Sequence, residues 1–201
     1  MSRPAFPLHE PVISRTLIGA SVAAFVVQSQ LGDRALELGA LWPLGPYFAP
    51  WQTLSYAFLH GGLTHLLFNM FGLHLFGGDV ERIIGPRRFA LLYFASVLCA
   101  AAAQLLVNDL TGSPYPTVGA SGGLFGVMLV FAVLFPKATI VPLFPPIPMP
   151  AWLFVTLYAG IELWFGVTGS AQGIAHFAHL GGLVGGALVW LRWRAEARRR
   201  H

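Results

Sequence analysis

Gly119-Ala-Ser121-Gly-Gly-Leu-Phe125-Gly-Val-Met-Leu-Val-Phe-Ala-Val-Leu-Phe135 contains no charged residue and a single hydroxyl, placed at its head. Such a stretch belongs in hydrocarbon. Read as a helix over Ser121–Phe135 it rises ~22 Å at ~1.5 Å per residue. That is shorter than the ~30 Å hydrocarbon core of a bilayer, so its start lies below the outer surface. The preceding Thr111–Val118 stretch holds Pro114 and Pro116 and cannot be helical throughout. Non-helical backbone at that depth persists only against protein or beside a water-filled cavity.

Five further apolar stretches flank this one. The hydropathy pattern gives six spans, at Ile13–Leu31, Leu63–Ile84, Phe89–Val107, Ser121–Phe135, Ala151–Val167 and Ala175–Trp193. The fold class is therefore all-α, a polytopic membrane bundle of six transmembrane helices in one domain over residues 1–201. Residues 1–12 form a polar N-terminal segment and residues 194–201 a basic tail. Composition agrees. Of 201 residues 56% are hydrophobic and only 10% charged, against about 25% charged in soluble domains, and the mean hydropathy is +0.67. The proline-bearing start has no signal-peptide pattern. The lone Cys99 excludes a disulfide framework and reads as packing. The connection Gly32–Gly62, rich in Pro and aromatic residues, reads as a structured interfacial loop, and Pro142–Pro150 as a stiff one.

A pI near 9.7 raises nucleic acid as a partner, but the charges are grouped by membrane side, which argues against it. Arg3, Arg15, the loop of Arg82, Arg87 and Arg88, Lys137 and the arginine tail from Arg192 fall on one side, and only Arg34 on the other. The positive-inside rule puts both termini in the cytoplasm. Spans two, four and six then begin at the outer face.

At those three beginnings sit His65 with Asn69, Ser121, and His179. Ser121 at a helix start has free backbone N–H groups and the positive dipole end beside it, which suit a nucleophile whose attack creates an oxyanion. The competing reading is close helix packing through Gly122 and Gly126. His179 is the candidate general base, with Gly182 and Gly186 on its face to bring spans six and four together. The competing reading is a histidine bonded to a neighbouring carbonyl. His65 and Asn69, one turn apart, are candidate oxyanion donors or else interhelical polar glue. His176 reads as a supporting or interfacial group, His60 as a loop anchor, and His74 as facing away from the site. Glu162 is an unusual charge within span five, explained by protein-facing polar glue or a water-exposed position at least as well as by a catalytic role. With no carboxylate placed to orient His179, the expected arrangement is a Ser121–His179 dyad. A metal or haem carrier using His65, His176 and His179 is the remaining class, weakened by the lack of acidic or cysteine ligands.

Three motifs now stand in order: His60-Gly-Gly-Leu-Thr-His65-Leu-Leu-Phe-Asn69, Gly119-Ala-Ser121-Gly122 and Ala178-His179-Leu-Gly181-Gly182. Together they resemble the rhomboid family of intramembrane serine proteases, over roughly Trp51 to Trp193. Glu81 and Gly85 resemble that family's motif at the end of the second span. The resemblance implies a six-helix bundle cleaving single-span membrane proteins near the outer boundary, with Ser121 as nucleophile and His179 as base. It implies that Asn69, His65 and the Ser121 N–H hold the oxyanion, that Phe125 packs on the catalytic histidine, and that substrate enters near span five and the first loop. It calls for no cofactor or metal, and makes the lipid bilayer and transmembrane substrates the partners, in a bacterial-type plasma membrane. It leaves the oligomeric state open. The first loop departs from the family: Trp51-Gln52 stands where many members carry Trp-Arg. The alternative class is a catalytically silent member that binds membrane clients.

Overall fold

The computed structural model describes residues 9–143, 145–169 and 175–199, leaving Arg3 and Arg200 outside the described residues. Among the described residues the regular structure is almost wholly helical. Helix α1 spans Val12–Leu31. The first loop carries α2 (Asp33–Gly39), α3 (Gln52–Ser55) and a 3-10 turn (Tyr56–Phe58). The second apolar stretch runs as α4 (Leu63–Gly72), a π-helical segment (Leu73–Gly77) and α5 (Gly78–Ile84). There follow α6 (Pro86–Thr111), α7 (Ser121–Leu134), a two-residue hairpin pair β1 (Thr139–Ile140) and β2 (Met149–Pro150), α8 (Ala151–Thr168) and α9 (His176–Arg198).

By length and composition α1, α6 and α8 are the described helices able to cross a membrane on those grounds alone. Helix α7 is apolar but has 14 residues. It is the innermost helix: ten of its residues are buried, among them Gly122 through Met128 without interruption. A helix apolar all round fits only where neighbours enclose it. By contrast α1 and α8 present Val, Leu and Trp side chains outward, as helices facing lipid do.

The helix bounds follow from local chemistry. Pro86 opens α6 at a position where its missing N–H costs nothing. Gly85 before it has φ +83° and closes α5, a conformation that glycine adopts without a Cβ penalty. The start of α1 is capped from a distance. Both oxygens of the fully buried Glu81 accept backbone N–H bonds, from Ile13 and Ser14, each 2.8 Å. A carboxylate at the positive end of a helix dipole ties α1 to α5.

The first loop is as ordered as the sequence suggests. Gln52, 1% exposed, gathers it. Its Oε1 accepts from the Ala49 and Trp42 N–H groups at 3.1 and 3.3 Å, and its Nε2 donates to the Tyr47 carbonyl at 3.0 Å. Here a neutral amide does the bracing that the family resemblance leaves to an arginine. Trp51 Nε1 donates to the Leu38 carbonyl at 2.9 Å. Gln28 of α1 pairs with both backbone groups of His60, at 2.7 and 3.0 Å. The loop also holds the segment leading to Ser121. Leu41 and Thr117 exchange backbone bonds, and the Gly119 N–H donates to the Tyr56 carbonyl at 2.9 Å.

Candidate active site

Small residues set the distance between α7 and α9. A methyl group on Gly182 would overlap the Gly122 backbone, one on Gly186 the Gly126 backbone, and one on Gly126 the Ser96 side chain of α6. The glycines read from the sequence as a close-approach stripe do occupy that seam. At its upper end Ser121 Oγ and His179 Nε2 lie 2.7 Å apart. The Phe125 ring stacks on the imidazole at 4.4 Å and 7°, fixing the ring plane one turn below the hydroxyl.

Ser121 is the first residue of α7. The first helical bond in this turn runs from the Leu124 N–H to the Ala120 carbonyl, so the N–H groups of Ser121, Gly122 and Gly123 have no intrahelical acceptor. Gly119 makes room for the His65 ring. It has φ +130°, and a Cβ there would press on His65 Cε1 at 2.8 Å and Nε2 at 2.9 Å, with Ser121 Oγ 3.6 Å away. The Nε2 edge of His65 therefore faces the Gly119–Ser121 turn, while its Nδ1 accepts the Gly61 N–H at 3.3 Å. That acceptance leaves Nε2 as the N–H of the neutral ring. Asn69 is 4% exposed. Its Nδ2 donates to the His65 carbonyl at 2.9 Å, and its Oδ1 has no partner. One amide hydrogen remains for a further acceptor.

The expectation that no carboxylate reaches His179 is wrong. Glu162 of α8, 7% exposed, lies on the far side of the imidazole with Oε2 3.0 Å from His179 Nδ1. The distance is that of a hydrogen bond, but the N–H is turned off the line, and Nδ1 forms no bond of good angle. The same oxygen receives His176 Nδ1 at 2.6 Å. Glu162 is thus not water-exposed but protein-facing, and two histidines one turn apart converge on it. The contact crosses between α8 and α9, where no spacing within one helix announces it. The available signal was a carboxylate within an apolar span shortly before a doubled histidine. Asp79 pairs with Arg82 at 2.8 Å. His74 lines a cavity with Arg15, Asp79 and Arg82, remote from Ser121 in sequence and on other elements. Among the described residues no group of three or more His, Cys, Asp or Glu side chains is arranged to hold a metal ion.

A hydroxyl bonded to an imidazole, with free N–H groups at a helix start and a second imidazole beside it, is equipped for nucleophilic acyl transfer. Comparison with known proteins gives the lineage of this arrangement. The family model described as the rhomboid domain matches residues 48–195. Similar proteins include the rhomboid protease GlpG of Klebsiella pneumoniae, 30% identical over 82% of this chain and 57% of that protein. The putative rhomboid protease YdcA of Bacillus subtilis is 35% identical over 69% of this chain and 65% of that protein. The mitochondrial RHOMBOID-like protein 12 of Arabidopsis thaliana is 31% identical over 70% of this chain and 46% of that protein. The chain spans between about half and two thirds of the length of these relatives.

Proposed function

This chain belongs to the rhomboid family, and from that premise we propose that it is an intramembrane serine endopeptidase that cuts single-span membrane proteins near the outer boundary of the bilayer. It is an integral, multi-pass membrane protein. Six spans, with both termini in the cytoplasm of a bacterial-type plasma membrane, complete the reading.

Ser121 is the nucleophile. As Oγ bonds to the scissile carbonyl carbon, His179 Nε2 takes the hydroxyl proton, and the carbonyl π pair moves onto oxygen. The free N–H groups of the first α7 turn, with His65 Nε2–H and the spare Asn69 amide hydrogen, receive that oxyanion. One such donor contributes about 3 kcal/mol in the transition state. Collapse breaks the C–N bond, and the imidazolium returns its proton to the departing amine. Water then attacks the acyl-serine with His179 again as base, releasing the new carboxyl end and restoring Oγ–H. A helical peptide bond is hard to attack, so preferred substrates carry small or helix-breaking residues where they unwind into the site.

The observation that carries the reading is the 2.7 Å contact between Ser121 Oγ and His179 Nε2 across the α7–α9 seam. A fluorophosphonate probe added to the purified protein in detergent tests it. The reading expects one adduct, on Ser121, lost in His179→Asn. Folded wild-type protein that takes no label would favour a client-binding protein without catalysis.

A further inference from the structure

The geometry points to Glu162 as the positioning residue of the His179 base and to His176 as the side chain that holds Glu162 there, which extends the catalytic pair to a chain Ser121–His179–Glu162–His176. This inference rests on the protease reading of Ser121 and His179.

Four observations support it. Both imidazoles bring Nδ1 close to one oxygen, Glu162 Oε2, at 2.6 Å for His176 and 3.0 Å for His179. All three side chains are nearly enclosed, at 7–12% exposure. Glu162 is one of three buried residues on α8, and the others, Ala151 and Phe154, lie in its first turn. A carboxylate does not bury itself on an otherwise outward-facing helix without a charged or hydrogen-bonded partner. Finally, the two ring nitrogens of His179 face opposite partners, Ser121 Oγ and Glu162 Oε2.

The last point decides the chemistry. A carboxylate beside Nδ1 favours the tautomer with the proton on Nδ1, which leaves the Nε2 lone pair toward Ser121. It also favours the imidazolium formed when Oγ gives up its proton. His176 makes the shorter contact and so fixes where Oε2 sits. The off-line N–H of His179 aligns as its ring charges, since contacts of this kind tighten in the transition state. The other titratable groups near the chain are Tyr158 of α8, 6.1 Å from the Phe125 ring, and His65 of α4.

The test uses the full chain in detergent, with ring-15N histidine for NMR titration and fluorophosphonate labelling followed against pH. In Glu162→Gln the inference expects the His179 titration and the acid limb of labelling to move together to lower pH by about one unit. It also expects labelling at neutral pH to fall on the order of 10²-fold. His176→Leu should move both in the same direction by less, His176→Asn, which keeps a donor, should restore them, and the double variant Glu162→Gln/His176→Leu should be no worse than Glu162→Gln alone. A Glu162→Gln protein that loses thermal stability while its His179 titration and acid limb stay with the wild type overturns the inference, leaving Glu162 as a structural pin. Should Glu162→Gln not fold, an unmoved His179 titration in folded His176→Leu overturns it equally. The NMR arm needs no proteolysis, so failure of the protease reading appears separately, as wild-type protein without label on Ser121.

Discussion

Single residues in this protein serve backbone groups as often as they serve the site. Gln52 satisfies two N–H groups and a carbonyl in the non-helical stretch between α2 and α3. Truncating it strands them out of water, at about 1–3 kcal/mol for a group left unpaired. Gln52→Ala is therefore expected to lower the thermal midpoint in detergent and to open the Trp42–Trp51 segment to limited proteolysis, both measurable on purified protein. His60 makes a different prediction. It is fully buried, and burial, aided by His65 at a ring distance of 5.2 Å, pushes its imidazole down from the ordinary value to about 4. The unfolded chain then takes up this proton at higher pH than the folded one. Stability is intact above the ordinary histidine range and is lost as pH falls toward 4. Thermal midpoints measured from about pH 7 to about pH 4.5 should fall, and His60→Asn should flatten that slope in the same window. That Ser121, His179 and His65 come together was legible because a hydroxyl and imidazoles are rare at the heads of apolar stretches. The contacts of Glu162 were not legible, since its partners sit on another helix and only the packing of α8 on α9 brings them together.

At the level of elements, the α7–α9 seam is the precision part. The sequence showed it as Gly122, Gly126, Gly182 and Gly186, and the backbone contacts there leave no room for a Cβ. Gly182→Ala must push α9 off α7. Overpacking of this kind costs about 1–3 kcal/mol, and it also moves the His179 base away from Ser121. The expected result is a lower thermal midpoint together with slowed Ser121 labelling, whereas Gly160→Ala on α8, where a Cβ meets nothing within 4 Å, should change neither. Helix positions were read well because apolar runs are long: α1 and α8 begin or end within a residue of expectation. The interruptions were not. The second stretch reads as one helix over Leu63–Ile84, yet Leu73–Gly77 is π-helical. Gly72, Gly77 and Gly78 bracket that segment, but a glycine does not tell a π turn from an α turn, because the wider hydrogen-bonded turn is set by neighbours and not by propensity. The Glu81 cap on α1 was likewise visible only as a family-like motif, since an acceptor 67 residues away in sequence carries no local signature.

For the molecule as a whole, an enclosed short helix, α7, carries the hydroxyl, and longer outward-facing helices surround it. The loop of Leu41 to Tyr56 braces the turn before Ser121 from above, and the glycine seam braces it from the side. This explains how the proposed hydrolytic pair is kept in register inside an apolar bundle: rigid backbone contacts position it, and the side chains need only turn. The account is tested most directly by reconstituting the protein in liposomes with a single-span substrate carrying a helix-breaking residue near its outer boundary. Wild-type protein should cut the substrate at one site close to that boundary, and Ser121→Ala, folded to the same thermal midpoint, should leave it intact. Equal cleavage by the two proteins would contradict the account.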